Sequence, residues 1–134
     1  MNEVRVFTIE ECNRLLPVLT QQLTELQKKR QSAGDLEAQI DALELICNSE
    51  SKKSTAELDQ LIRKHQKIVN EFYALVDQIH EHGCYLKDAD LGLVDFYGMI
   101  DGRMVCLCWR LGEQQVGFWH EVNSGFTNRK PIES

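Results

Sequence analysis

The chain has 134 residues, 43% of them hydrophobic, and a net charge of −6. That is enough apolar sequence for a core and argues against a disordered chain. The acidic balance disfavours nonspecific binding to a phosphate backbone. No apolar run approaches the ~18 residues of a membrane span, and no secretory signal pattern opens the chain. The five cysteines follow no disulfide-framework spacing, so they read as reduced thiols of a cytoplasmic protein.

Thr8-Ile9-Glu10-Glu11 is a capping box, in which the Thr8 hydroxyl and the Glu11 carboxylate each accept from the other's backbone N–H. Phe7 and Cys12 stand where a hydrophobic staple would. The helix that follows carries Leu15, Leu16, Leu19, Leu23 and Leu26 on one stripe, and Pro17 predicts a kink. The stripe resumes with Ala33, Leu36, Ile40, Leu43 and Cys47. Gly34 weakens a helix by about 1 kcal/mol without ending it. The pattern predicts one long helix to about Cys47, with a break near Ser32 to Asp35 as the alternative.

A polar loop and a second capping box, Ser54 to Glu57, precede another helix. Leu58, Ile62, His65, Val69, Phe72, Val76 and Ile79 step by the four-three alternation of a heptad seam. Leu61, Ile68 and Leu75 widen that stripe, so more than one partner surface is needed. His65 at a core position reads as a register-setting polar residue. The basic groups Lys28, Lys29, Arg30 and Arg63, Lys64, Lys67 read as a solvated face with intrahelical pairs. Gly83 fits as the C′ residue that stops the helix. The two helices should form an antiparallel hairpin. At 1.5 Å per residue the second spans roughly 43 Å and the first roughly 58 Å, which sets His82 beside about residue 20. The first turns of the first helix then overhang, and the C-terminal sheet must cover their leucines.

The last third contains two hairpins. Asp101-Gly102 is the preferred pair of a type I′ turn, and Gly112-Glu113 suits type II′. With two-residue loops, Phe96 faces Leu107, Asp95 faces Cys108, Leu107 faces Phe118 and Val105 faces His120. One face then holds Val94, Phe96, Val105, Leu107, Trp109, Phe118 and His120, and His120 reads as a satisfied core histidine. The other holds Asp95, Tyr97, Met99, Met104, Cys106, Cys108, Arg110 and Trp119. A slip of one residue would exchange the faces.

Asp95 and Arg110 are diagonal across the ladder and within reach of an ion pair. The pair either binds a small anion or only ties two strands together. The aromatics and methionines beside it suit a protein interface. Cys106 and Cys108 share that face and are weak metal candidates, since a tetrahedral site needs two more ligands and His120 points the other way. His80, His82 and Cys84 match no zinc motif. In the tail Gly125 to Pro131, Phe126 should tuck against the sheet edge, with Arg129 turned toward the site or toward solvent.

Phe7-Thr8 with Glu11 and Asn13 to Pro17, Gly92 to Phe96, Gly102-Arg103, Leu107 to Glu113, Trp119-His120, and Gly125-Phe126 with Arg129 and Pro131 together resemble a family of small prokaryotic proteins, domain-of-unknown-function family 2203. The resemblance covers both ends of the chain and about half its length. It implies a soluble prokaryotic protein and brings no activity. The polar residues that match the family are Asp95, Arg110, Glu113, His120 and Arg129.

The expected fold is α+β: a single domain of residues 1–134, with a helical hairpin over 8–82, an antiparallel meander of three to four strands over 84–121 and a tail over 122–134. Cys84 to Lys87 is the candidate for the extra strand. The favoured function is a non-enzymatic interaction or oligomerisation module, homodimeric through the helical stalk or the mixed sheet face, with another protein as the other possible partner. The alternative is a small-anion or small-ligand site, enzymatic or not, around Asp95, Arg110, Glu113 and Arg129. Catalytic residues are not assigned, and no cofactor, membrane or nucleic acid is expected.

Overall fold

The computed structural model describes residues 4–46 and 52–133. The elements run β1 (Val6–Phe7), α1 (Ile9–Ile46), α2 (Lys52–Glu81), β2 (Tyr85–Asp88), β3 (Leu93–Ile100), β4 (Arg103–Arg110), β5 (Phe118–His120), a single 3-10 turn (Phe126–Asn128) and β6 (Lys130–Pro131). The fold is therefore α+β.

The first capping box forms as expected: the Thr8 N–H donates to Glu11 Oε1 at 2.8 Å, and the Glu11 N–H donates to Thr8 Oγ1 at 3.1 Å. These bonds hold the Glu11 carboxyl below its usual range. Phe7 and Cys12, the expected staple pair, are both buried. Helix α1 passes Gly34 without a break and reaches Ile46; Cys47 lies outside the described residues. Helix α2 begins at Lys52, so Ser54 sits within its first turn instead of capping it. Gly83 stops α2 with φ +96°, its N–H donating to the His80 carbonyl at 2.9 Å.

The sheet is mixed and has six strands, not an antiparallel three or four. Central β3 pairs with β4 along its whole length on one edge. On its other edge it takes β2 antiparallel at Leu93 to Asp95 and β1 parallel at Tyr97 and Gly98. Strand β2 is the extra strand expected near Cys84 to Lys87. The additional members, β1 and β6, are two residues each, too short to show an alternating pattern.

The Asp101-Gly102 turn has φ +52° and +76°, positive at both positions as type I′ requires. The β3–β4 register is the expected one throughout, with Phe96 opposite Leu107 and Asp95 opposite Cys108. The β4–β5 register is not. Cys106 faces His120 and Cys108 faces Phe118, one residue away from the two-residue-loop reading. Gly112 (φ +104°) sits third in a turn in which the Glu113 N–H donates to the Arg110 carbonyl at 3.0 Å. The chain then runs irregularly until Phe118. A Gly in that third position is what a type II turn needs, so the type II′ assignment was the error.

The chain divides into two compact units. One comprises Met1–Thr24 and Val76–Ser134, the other Glu25–Leu75. In the first, Phe7, Val94, Phe96, Val105, Leu107 and Trp109 are buried together with Cys12, Leu16, Leu19, Leu23 and Ile79. The Phe7 and Phe96 rings meet edge to face at 5.1 Å. His82 Nε2 lies 3.0 Å from Gln22 Oε1, in keeping with the length argument that sets it beside about residue 20. The second unit is a helical hairpin. His65 Nε2 lies 3.0 Å from Glu37 Oε1, and Lys29 Nζ lies 3.4 Å from Glu71 Oε1. Its described side chains bury only Leu26 and Leu36.

Candidate functional site

The observed register gathers Asp95, Cys106, Cys108, Phe118 and His120 on one face of β3, β4 and β5. His120 thus moves from the apolar face, where the two-residue loop would place it, to the face of the thiols and the carboxylate. Asp95 and His120 are the buried polar side chains of the described chain, 5% and 3% exposed, with Cys106 and Cys108 equally buried. The cover comes from both sides. Tyr85 stands opposite Asp95 on β2, its ring edge to face with Tyr97 at 5.3 Å. On the other side the C-terminal segment lays Arg129 over Phe118, 3.9 Å from guanidinium carbon to ring centroid, and over Phe126 at 4.4 Å.

The partners of His120 fix where its hydrogens lie. His120 Nδ1 lies 2.8 Å from the Glu121 carbonyl oxygen. A carbonyl only accepts, so Nδ1 carries a hydrogen and donates it. Nε2 lies 2.9 Å from Asp95 Oδ2, and that contact also requires one hydrogen. Either an imidazolium donates to a carboxylate or a carboxylic acid donates to a neutral ring. Both forms leave the buried pair with no net charge, which suits its surroundings.

Cys108 lies within electrostatic reach of both Asp95 and Arg129. Burial pushes its thiol up to about 12 and the Asp95 charge adds to the rise, while Arg129 opposes it. Cys106 is pushed up to about 11 by burial and by Asp95. The thiols are therefore protonated at neutral pH and are poor nucleophiles as they stand. Nδ1 of His120 meets the Glu121 carbonyl and Nε2 meets Asp95, so neither ring nitrogen is bonded to a thiol as a nucleophile–base pair would require. Asp95, Cys106 and His120 do offer one ligand atom each, all within 4.8 Å of one another.

The residues singled out in the sequence divide into two groups. Asp95 pairs with His120, not with Arg110. Arg110 is exposed, and its guanidinium lies 5.9 Å from the Phe126 ring. Glu113 and Arg129 form a two-pronged ion pair, Nη1 to Oε1 at 3.1 Å and Nη2 to Oε2 at 2.8 Å. Burial alone would lower the Arg129 pKa, but its bonds to Glu113 outweigh that and raise it. Glu113 Oε1 also accepts from the Arg110 backbone N–H at 2.8 Å, and the Glu113 carbonyl accepts from Trp109 Nε1 at 2.9 Å. Asn13 Oδ1 accepts from the Val116 N–H at 2.8 Å. These bonds shape the loop between β4 and β5, and so set the position of His120. Phe126 is half-buried, its ring near the Arg110 and Arg129 guanidiniums, and Arg129 turns toward Phe118 of the site.

His80 and Cys84 do not come together as ligands. The Leu86 N–H donates to His80 Nε2 at 3.2 Å, and the buried Cys84 thiol donates to the Ile79 carbonyl at 3.3 Å.

In the helical unit, Arg30, Ala33, Gly34, Glu37, Val69, Phe72 and Tyr73 line a groove of about 320 Å³. A Cβ on Gly34 would meet nothing within 4 Å, and Tyr73 at its border is 61% exposed. Among the described side chains of α2 from Thr55 to Leu75 none is buried.

The family model described as "Uncharacterized conserved protein (DUF2203)" matches residues 5–132, nearly the whole chain. No curated protein and no solved structure matches it. No described helix is long and apolar enough to cross a membrane.

Proposed function

The chain belongs to the DUF2203 family, and we propose that it acts as a self-association module, two copies joining through the helical hairpin of Glu25–Leu75. The observation that carries this is the hairpin's incomplete burial. Leu58, Leu61, Ile68, Val69, Phe72 and Leu75 are only half-buried, and Ile62 is 42% exposed. Two helices share a single seam, and an apolar stripe wider than that seam needs a further surface.

Three features favour a second copy as that surface. The heptad spacing of α2 is the pattern of helices that pack on their like. The segment from residue 25 to 75 carries eight basic and nine acidic residues, so two copies bring little net charge together. Finally, the hollow over Gly34 and the projecting Tyr73 border the same groove, which a two-fold axis can use as knob and hole at once. The dimer belongs to the cytoplasm of a prokaryote, with another protein as its other candidate partner. A small-anion site draws less support: Glu113 already occupies the Arg129 guanidinium, leaving Arg110 as the accessible cation of the four candidates.

Sedimentation velocity and light scattering test the reading. The unaltered chain is expected to be dimeric across the micromolar range. Gly34→Leu fills the hollow while improving helix propensity, so it is expected to keep its helicity and to raise the dimer dissociation constant at least tenfold. A chain that stays monomeric throughout, or a Gly34→Leu variant that dimerises as well as the parent, overturns the proposal.

A further inference from the structure

We propose that Asp95, Cys106 and His120 are the protein ligands of a zinc-class divalent cation, through a carboxylate oxygen, Sγ and Nε2. Their three ligand atoms lie within 4.8 Å of one another and all three residues are buried. They come from the neighbouring strands β3, β4 and β5, with Cys106 directly opposite His120, so the backbone that carries them is held by the sheet ladder. Val94, Phe96, Val105 and Leu107, which alternate with them along the strands, fill the core on the opposite face of the sheet. The three donors share one buried place on their own face, the carboxylate and the imidazole already bonded to each other.

The donor set selects the kind of metal. One sulfur, one nitrogen and one oxygen suit borderline zinc; magnesium and calcium take oxygen, and copper(I) prefers sulfur. The ring is oriented for the task. Its Nδ1–H is spent on the Glu121 carbonyl at 2.8 Å, which aims Nε2 at the cluster, the outer bond that metal-binding histidines commonly make. The charges also balance. A divalent ion would replace the hydrogen between His120 and Asp95 and the Cys106 thiol proton. With one carboxylate, one thiolate and a neutral ring the buried site is again without net charge.

Tetrahedral zinc at ordinary bond lengths holds its ligand atoms about 3.4–3.6 Å apart. The 2.9 Å contact between Nε2 and Oδ2 must open by about 0.5 Å, and the sulfur must close by no more than about 1.4 Å. Side-chain rotation can supply both. Cys108 is not one of the three residues whose ligand atoms cluster, which leaves the fourth position to water or to a ligand from solution.

Cobalt(II) titration of the full chain, stripped with chelator under reducing conditions, tests the site. One equivalent is expected to bind, with the strong visible bands of tetrahedral cobalt, a near-ultraviolet thiolate-to-cobalt band and release of two protons per metal. Zinc is expected to abolish the bands. Cys106→Ser and Cys106→Ala are each expected to remove the thiolate band, and Cys108→Ala to retain it. Sub-stoichiometric binding to the unaltered chain overturns the proposal on its own, even if every variant fails to fold. So does a thiolate band that survives in a folded Cys106 variant, or one lost in a folded Cys108→Ala.

Discussion

The His120–Asp95 contact has a stability consequence that depends on which atom carries the hydrogen. With Nδ1–H committed to the Glu121 carbonyl, a neutral His120 presents a lone pair at Nε2. In Asp95→Asn the new amide N–H can donate to that lone pair, so the contact survives in altered form. In Asp95→Leu it cannot, and a buried nitrogen is left without a partner, which typically costs about 1–3 kcal/mol. Urea denaturation is expected to show Asp95→Asn losing less than about 1 kcal/mol and Asp95→Leu about 3 kcal/mol. Equal losses in the two variants would mean that the hydrogen-bond assignment is wrong. Little of this pair was legible in the residues themselves. Asp95 stands out there only through its diagonal relation to Arg110, and a one-residue error in register sends His120 to the other face.

That error has a physical source at the level of the element. Asp-Gly with positive φ at both positions allows one hairpin geometry, and the β3–β4 ladder follows from it without exception. A Gly-X pair is less decisive: its glycine serves equally as the second residue of a type II′ turn or the third of a type II turn. The choice falls to contacts far apart in sequence, Arg129 with Glu113 and Asn13 with Val116, which no local pattern contains. The same holds for β1, whose parallel pairing brings the Phe7 carbonyl close to Gly98. A Cβ on Gly98 would sit 2.5 Å from Leu107 Cδ1, 2.8 Å from Leu107 Cγ and 3.2 Å from the Phe7 carbonyl oxygen. The leucine lies in a filled core and the carbonyl belongs to the sheet, so neither gives way freely. Gly98→Ala is expected to destabilise by about 1–3 kcal/mol, as overpacking does. Its signature would be faster hydrogen exchange at Val6 and Phe7. An exchange rate unchanged there would show that β1 is not held by this contact. The helices were far more legible: the first capping box, the run through Gly34 and the stop at Gly83 are local chemistry, and local chemistry suffices for them.

At the level of the whole molecule, the four described thiols, Cys12, Cys84, Cys106 and Cys108, all belong to the unit of Met1–Thr24 and Val76–Ser134. Burial, the largest cause in each, raises them from 9.0 to about 12, 12, 11 and 12. Below about pH 8 these thiols are protonated whether the chain is folded or not, and they confer no pH dependence. Between pH 9 and about 11–12 the unfolded chain sheds protons that the folded chain keeps. Stability must therefore fall as pH rises through that window, by up to about 1.4 kcal/mol per pH unit for each thiol. Both tryptophans, Trp109 and Trp119, lie in the same unit, so their fluorescence follows it selectively. The urea midpoint read by tryptophan fluorescence is expected to hold steady from pH 7 to about 8 on the thiols' account and to drop steeply by pH 10. Lysines and tyrosines titrate in the same range, so the decisive comparison is with Cys12→Ala, in which one of the four raised groups is gone. Its midpoint should start lower at pH 7, because a buried side chain has been cut back, and should then fall less steeply. Parallel slopes in the two proteins would show that Cys12 titrates alike in the folded and unfolded chain, and its burial at the base of α1 would no longer account for the alkaline loss.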